Sequence, residues 1–169
     1  MNNYKVSKYF WYNELWHSES ATRLNINNEP PAVHLENLNY LANEVVDKCR
    51  EYVGGKLHAS FYRSKALNDV TPGAAQPSYH MLGMAADIDC KFFGIGNNAD
   101  LFKWMVNNLT FAQIIWEYGN DKHPDWIHVT AFAPAKTAGN LKWNEKKVTR
   151  ALKEGSTIKY IPFVYDPEK

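Results

Sequence analysis

The sequence predicts a single α+β domain in which helices flank a mainly antiparallel β-sheet. Helix-like and strand-like hydrophobic patterns follow each other without strict alternation, which favours this class over a parallel α/β fold. No internal repeat or proline-rich linker divides the 169 residues. A chain of this length can bury most of the surface that its unfolded state exposes, so we predict one domain over residues 1–169.

Two segments have the periodicity of helices. After the Asn-Glu-Pro-Pro sequence at 28–31, apolar residues recur on one helical face until the glycine pair at 54–55. These apolar residues are Leu35, Leu38, Leu41, Ala42, Val45, Val46, Cys49 and Tyr52. We expect this to be the longest helix and to lie on the sheet. A second helix of about ten residues is predicted to begin at Asn98 as its cap.

Four segments have the alternation or composition of β-strands. In Lys56–Tyr62, apolar residues alternate with His58 and Ser60, as in a strand that is buried on one face. The other three segments are rich in β-branched, aromatic or small apolar residues. They are Met84–Cys90, Ala112–Tyr118 and Trp126–Phe132.

The remaining segments are predicted from their turn residues and their position. Ser64–Tyr79 contains two prolines, a glycine and an asparagine, which together predict a loop. In the C-terminal part, we interpret Asn144–Glu154 as a terminal helix and Thr157–Val164 as an extended edge strand.

Composition excludes several classes of function. The net charge is +1 with cationic residues spread along the chain, which gives no reason to expect nucleic acid or an anionic membrane as a partner. No stretch approaches the ~20 apolar residues of a membrane helix, and residues 1–5 lack the apolar centre of a secretory signal. We therefore expect no membrane insertion and a protein that is cytoplasmic as made. Cys49 and Cys90 are too few for a disulfide framework and are expected to be buried.

Two histidines and one aspartate form a candidate metal site. His80 precedes Asp87 by seven residues, and His128 stands in an otherwise apolar strand. Imidazole nitrogens and carboxylate oxygens bind zinc at ~2.0–2.2 Å, and catalytic zinc sites commonly have three protein ligands and one open position. Asp125 lies three residues before His128, at the predicted mouth of the strand, where it could act on bound water.

Spacing alone leaves other assignments open. Asp89 lies on the same strand face as Asp87, and Glu117 ends a neighbouring strand, so each competes as ligand or base. His80 and Asp87 could instead form a hydrogen-bonded loop cap, and His128 could be a core histidine bonded to a carbonyl. The other histidines have no partner pattern. They are His17, His34, His58 and His123.

Two separate motifs resemble one known family. The sequence Ser-Tyr-His-Met-Leu-Gly-Met-Ala-Ala-Asp at 78–87, joined to Asp-Trp-Ile-His at 125–128, resembles the zinc D-Ala-D-Ala carboxypeptidase and L-Ala-D-Glu endopeptidase family of bacteria and their phages. The likeness extends upstream through Ser-Phe-Tyr-Arg-Ser at 60–64 and covers about residues 9–132, leaving 133–169 as a C-terminal extension. It is similar in particular to small, endolysin-like phage and prophage members, and it implies a hedgehog/DD-peptidase-like zinc fold.

The resemblance implies roles for six residues. The implied ligands of Zn²⁺ are His80, Asp87 and His128. Asp125 falls on the catalytic acid/base position, and Arg63 and Ser78 fall on substrate-contact positions. Arg63 would hold a developing oxyanion or a substrate carboxylate, although a plain ion pair with an Asp or Glu is the alternative for this side chain.

The activity implied by the resemblance is zinc-dependent hydrolysis of peptide bonds in the stem peptides of bacterial peptidoglycan. Such a protein would act on the wall after release from the cell or as part of a phage particle, and we expect a monomer. Asp rather than Glu at position 125 favours the endopeptidase branch, whereas Phe61 stands where many relatives have glycine. The alternatives are a non-catalytic zinc-containing wall-binding or virion structural module, and a host D-Ala-D-Ala carboxypeptidase.

Overall fold

A six-stranded sheet organises the computed structural model, which describes residues 3–155 and 157–164. The strands are β1 His58–Ser60, β2 Ala85–Asp89, β3 Gln113–Glu117, β4 Trp126–Thr130, β5 Lys147–Glu154 and β6 Thr157–Pro162. Their order across the sheet is β1-β2-β4-β3-β5-β6. All neighbouring pairs are antiparallel except β3 and β5, which are parallel. The predicted α+β class with a mainly antiparallel sheet is confirmed.

Five α-helices accompany the sheet in the described ranges. They are α1 Glu19–Arg23, α2 Leu35–Leu41, α3 Asp47–Val53, α4 Lys65–Val70 and α5 Asn98–Asn108. A π-helical turn over Ala42–Val46 joins α2 to α3, so the predicted long helix exists as one continuous helical run. It ends where Gly54 adopts a φ of 70°, a left-handed conformation that glycine adopts without steric cost. Shorter 3₁₀ turns occupy Tyr12–Leu15, Ala32–His34 and Tyr79–Leu82.

The central strands divide their side chains between a core face and a cleft face, because successive residues of a strand point to opposite sides. On the core face, apolar side chains pack with those of α2, α3 and α5 in one buried cluster. The sheet residues of this cluster include Ile88, Ile114, Trp116, Ile127 and Val129. The intervening residues line a cleft on the other face. They include Asp87, Ile115, Glu117, Trp126 and His128.

The prediction of a terminal helix over Asn144–Glu154 was wrong, because most of this segment is strand β5. β5 has a hydrogen-bonded neighbour on each side, β3 and β6. Thr149 and Ala151 are buried in it. Pairing with strands distant in sequence outweighs a local helical preference, since strand formation depends strongly on such cross-strand packing. The predicted edge strand is confirmed as β6.

The predicted loop over Ser64–Tyr79 contains a short helix, α4. Its N-terminus is capped by Ser64, whose hydroxyl oxygen accepts a hydrogen bond from the backbone N–H of Leu67. Leu67 is buried, which anchors the helix to the core. The prolines and the glycine that indicated a loop all follow α4, so the prediction holds only for the second half of the segment, and Tyr79 begins a 3₁₀ turn.

Smaller differences concern the ends of elements. The cap of α5 is Asn97, not Asn98, since the Asn97 side chain accepts from the N–H of Ala99. The first strand is shorter than predicted and covers His58–Ser60 only. Cys49 and Cys90 are both buried and unpaired, as expected. Residues 1–2, 156 and 165–169 of the predicted domain lie outside the described residues. Within the described part of the chain, no helix combines the length and apolar character needed to cross a bilayer.

Candidate metal centre

Neighbouring strands bring the three candidate metal ligands together. Asp87 on β2 and His128 on β4 are direct cross-strand partners. His80 lies in the 3₁₀ turn that immediately precedes β2. One possible ligand atom from each residue lies within 4.8 Å of those of the other two. His128 Nδ1 is 2.8 Å from one oxygen of the Asp87 carboxylate, and His80 Nε2 is 3.2 Å from the other.

A left-handed glycine closes the turn that carries His80. Gly83 has a φ of 66°, and a Cβ placed on it would lie 2.8 Å from Leu38 Cγ and 3.1 Å from the carbonyl oxygen of His34. Only glycine satisfies both the dihedral angle and this close approach to α2. Gly83 is thus required both for the turn and for its packing against α2.

Each histidine places its second ring nitrogen beside an oxygen that can accept a hydrogen bond. His80 Nδ1 is 2.6 Å from the carbonyl oxygen of Phe61, which can only accept, so we assign the proton to Nδ1 and the lone pair to Nε2. His128 Nε2 is 3.2 Å from the hydroxyl oxygen of the buried Thr130, which can accept from Nε2 when Nδ1 binds a cation. Such contacts fix the orientation of metal-binding imidazoles.

The buried Nε2 of His80 is the clearest sign that the group fits a metal ion. His80 is 3% exposed, and within the described residues its Nε2 has no aligned hydrogen-bond partner despite the nearby Asp87 oxygen. Leaving a buried polar atom unsatisfied costs about 1–3 kcal/mol. A cation held by two imidazole nitrogens and one carboxylate would satisfy this atom, and this is a donor set that zinc accepts.

Asp87 is held in its anionic form by its surroundings. Burial opposes ionisation, but the two histidines outweigh it and lower the pKa of Asp87 far below its usual range. The guanidinium of Arg63 adds a cation, with Nη2 3.5 Å from the carboxylate. Asp87 is therefore available as an anionic ligand at any physiological pH.

Arg63 and Ser78 both line the cleft beside the metal group. Arg63 follows β1, and its Nη1 donates to the side-chain oxygen of Asn68 at 3.3 Å. Its contact with Asp87 is the ion pair considered as the alternative role, made with one of the candidate metal ligands. Ser78 caps the 3₁₀ turn, because its hydroxyl oxygen accepts from the backbone N–H of His80 at 3.4 Å.

The side chain of Phe61 does not line the cleft. The side chain is 2% exposed and packs edge-on against Phe10, with the ring centroids 5.2 Å apart. Its contribution to the site is the backbone carbonyl that orients His80. Neither this carbonyl nor Thr130 was identified from the sequence, although the two-residue spacing on β4 places Thr130 on the face of His128.

Asp125 lies in the cleft at the start of β4 and has an exposed side chain. Its backbone is fixed on both sides, since its N–H donates to the carbonyl of Glu117 and its carbonyl accepts from the side chain of Asn98. Its carboxylate makes no hydrogen bond with other described residues, which leaves it available for water or a substrate.

Glu117, which the sequence left open as a competing ligand or base, also lies in the cleft. It ends β3 opposite Trp126 and is buried. Burial raises the pKa of Glu117 to about 7, with the charge of His128 opposing this rise and that of Asp87 adding to it. The signal that could have revealed it is the two-residue period along β3, which places Glu117 on the face of Ile115 and hence of His128.

The remaining competitors have other surroundings. The Asp89 carboxylate accepts hydrogen bonds from the N–H of Lys91 and the side chain of Asn98, so it secures the chain after β2. His58 stacks on Phe92. His123 Nδ1 lies 3.2 Å from the side-chain oxygen of Asn97. None of the three belongs to the candidate metal group found among the described residues.

Two segments that the sequence did not connect both contribute walls to the cleft. One wall consists of residues 71–75 and 77, after α4, and the other comes from β5 and β6, including Lys153, Ile158 and Tyr160. The walls approach each other closely, since a Cβ placed on Gly73 would lie 3.6 Å from Cδ1 of Ile158. The C-terminal extension is thus part of the cleft.

Comparison with known proteins identifies the family of the chain. The family model described as Peptidase M15 matches residues 8–130. The matched segment includes Arg63, the metal group and Asp125, and it ends at the last residue of β4, before β5 and β6. No curated protein and no solved structure matches significantly. With most of its length and the whole metal group inside the match, the chain belongs to the peptidase M15 family.

Proposed function

We propose that this protein is a zinc-dependent peptidase that hydrolyses peptide bonds in the stem peptides of bacterial peptidoglycan. The observation that carries the proposal is the convergence of His80 Nε2, a carboxylate oxygen of Asp87 and His128 Nδ1 at the floor of an open cleft. Membership of the peptidase M15 family supports peptide hydrolysis as the reaction. Two imidazoles and one carboxylate support zinc as the metal.

In this proposal, a metal ion at the ligand group activates the water and the scissile carbonyl, and Asp125 transfers the proton. A zinc ion at the ligand group would polarise the scissile carbonyl and lower the pKa of bound water from ~15.7 toward ~7. Asp125 accepts the proton of the attacking water and returns it to the leaving amine. Its exposed carboxylate on a fixed backbone suits this role, because no other described side chain competes for it.

Arg63 provides positive charge where negative charge develops on the substrate. Its Nη2 lies 3.5 Å from Asp87, so the guanidinium borders the metal group and faces the same cleft. A fixed cation at this point stabilises an oxyanion in the transition state or holds a substrate carboxylate. The Ser78 hydroxyl, which caps the 3₁₀ turn that carries His80, supplies one further hydrogen bond to the substrate.

The finer proposal is an endopeptidase with an endolysin-like role in cell-wall lysis. Asp rather than Glu at position 125 supports the endopeptidase branch. The protein would then act on the wall after release from the cell or as part of a phage particle. A D-Ala-D-Ala carboxypeptidase would release free D-Ala, and a non-catalytic wall-binding module would release nothing.

Digestion of purified peptidoglycan by the zinc-loaded protein tests the proposal. Mass spectrometry of the products is expected to show new amino termini within the stem peptide. Asp125→Asn, which keeps the size of the side chain but removes its basicity, is the matched control and should release few products. Wall that stays intact in the presence of the zinc-loaded wild type would contradict the proposed activity.

A further inference from the structure

We propose that Glu117 binds an ammonium group of the substrate and so selects peptides that carry a free amine close to the scissile bond. The inference rests on the peptidase function proposed above and names a feature of its substrate. Wall peptides that contain a diamino acid have such a group at the end of a short aliphatic side chain.

The first observation is a buried carboxylate without a partner. Glu117 is 6% exposed and lies on the cleft face of β3. Within residues 3–155 and 157–164, its side chain makes no hydrogen bond or ion pair. A buried carboxylate is unfavourable unless a cation or hydrogen-bond donors compensate it. Because Glu117 faces the cleft and not the core, the missing cation can come from a bound ligand.

The second observation is the row of residues in which Glu117 stands. Across the sheet, β4, β3, β5 and β6 place Trp126, Glu117, Ala151 and Tyr160 in direct register. Directly opposed residues point to the same face of a sheet. The carboxylate therefore has an aromatic neighbour on one side and, beyond the methyl group of Ala151, a second aromatic residue on the other.

A third aromatic residue completes this environment. Tyr118 follows Glu117 in the chain, and its ring centroid lies 5.2 Å from that of Trp126. Burial and then the charge of Glu117 raise the pKa of both Tyr118 and Tyr160, so both phenols lie within the field of this carboxylate. A carboxylate with aromatic neighbours suits an ammonium group, since the anion pairs with the charge and aromatic rings attract cations.

The position along β3 determines which part of the substrate is recognised. Glu117 is two residues from Ile115, the cross-strand partner of His128. Two residues of a strand span about 7 Å. This distance corresponds to a short side chain that begins next to the bond cleaved at the metal group. The recognised ammonium group therefore belongs to a residue close to that bond.

Part of this environment comes from outside the family match. Tyr160 and Ala151 belong to β5 and β6, which follow the matched residues 8–130. The C-terminal extension thus contributes to the selectivity of the cleft, and not only to the stability of the sheet.

Binding measurements with two matched ligands test the inference without requiring turnover. The ligands are one disaccharide peptide from the wall with the side-chain amine of its diamino acid free and the same compound with that amine acetylated. Calorimetric titration into zinc-loaded Asp125→Asn protein is expected to show at least about tenfold tighter binding of the free amine, the gain typical of a charged hydrogen bond. Adding Glu117→Gln should abolish the difference and leave the zinc content unchanged.

A charge control uses another residue of the same cleft. Lys153→Gln in the Asp125→Asn background changes the charge of the cleft by one unit and leaves Glu117 in place. Discrimination between the ligands should therefore persist. Equal binding of both ligands, or discrimination that survives Glu117→Gln, would overturn the inference. Wall digestion by the wild type decides the peptidase function separately. If the wild type digests wall but the Asp125→Asn protein binds the free and the acetylated ligand equally, only the role of Glu117 is refuted. If the Asp125→Asn protein discriminates between the ligands but the wild type does not digest wall, only the peptidase activity is refuted.

Discussion

Asp87 and His128 stand directly opposite each other on β2 and β4, and their side chains meet with His128 Nδ1 2.8 Å from the carboxylate. Two of the three candidate ligands are thus fixed by the register of the sheet. A strand that slipped by one residue would turn its ligand to the core face. The geometry of the metal group is therefore secured by the same hydrogen bonds that hold the fold together.

Removing one of the three candidate ligands should release the metal. In His128→Ala, one of the three protein donors is lost and zinc affinity is expected to fall by more than the ~10–100-fold typical of a lost outer contact. Zinc content after dialysis, measured by atomic absorption, checks this. His123→Ala serves as the control because His123 bonds to Asn97 outside the metal group, and it should retain zinc.

Thr130→Val tests the orientation of His128. The substitution keeps the shape of the buried side chain but removes the oxygen that lies 3.2 Å from His128 Nε2. Zinc affinity is expected to fall ~10–100-fold, because outer contacts of metal-binding imidazoles contribute this much. Thr149→Val, at a buried threonine that bonds to Gln113 instead, is the matched control. Unchanged zinc affinity in Thr130→Val would show that this hydroxyl does not orient the imidazole.

Asp125→Asn separates catalysis from metal binding. The rate of wall-peptide hydrolysis is expected to fall ~10²–10⁴-fold, the usual contribution of a general base and acid. Zinc content and thermal stability should stay at wild-type values, because the side chain is exposed and makes no hydrogen bond with other described residues. Steady-state kinetics on a soluble muropeptide provides the measurement, and a wild-type rate would remove Asp125 from the mechanism.

The stability of the metal-free protein should depend on pH through Glu117. Burial raises the pKa of Glu117 from 4.5 to about 7, so the folded state binds this proton more tightly than the unfolded state. Its contribution to stability is complete below pH 4.5 and is lost as the pH rises through 7. Over this pH range, the free energy of unfolding falls by roughly 3 kcal/mol.

Urea unfolding of wild type and Glu117→Gln at pH 4.5 and pH 8 measures this contribution. Since glutamine does not titrate, the variant should gain stability relative to wild type between the two values, by roughly 3 kcal/mol. Comparison of the two proteins cancels the titration of the metal-free histidines. A difference that is independent of pH would mean that the pKa of Glu117 is the same in the folded and the unfolded state.

Gly83→Ala tests how the turn positions His80. The new methyl group would meet Leu38 Cγ at 2.8 Å, at a φ of 66° that alanine tolerates poorly. We expect a loss of unfolding free energy of about 1–3 kcal/mol, from backbone strain and overpacking together. Zinc affinity should fall as well, because His80 lies in the turn that Gly83 closes. Gly54→Ala is the control, since it has a similar φ of 70° but open space around the Cβ position.

Local sequence patterns were sufficient to predict the three central strands of the sheet. The strands β2, β3 and β4 have strong local patterns, and they carry Asp87, Glu117 and His128. The family resemblance of two short motifs, 78–87 and 125–128, then indicated the three residues of the candidate metal group. The π-helical turn in the long helical run has the same apolar face as its neighbours and could not be distinguished from the sequence.

What could not be predicted depends on contacts between distant residues. The sequence predicts a helix in place of β5 because its partners, β3 and β6, are not apparent in its own sequence. For the same reason, the contribution of Tyr160 to the cleft was not foreseen. The burial of Glu117 and its place in a cross-strand row depend on the assembled sheet. Its sequence neighbours indicate only the face of β3 on which it lies.

The most direct test of the account is a crystal structure of the zinc-loaded protein with anomalous diffraction measured at the zinc absorption edge. We expect one strong peak at ~2.0–2.2 Å from His80 Nε2, a carboxylate oxygen of Asp87 and His128 Nδ1, with a further position open to the cleft. A peak bound by other residues, or the absence of a peak at this group in zinc-loaded crystals, would contradict the account.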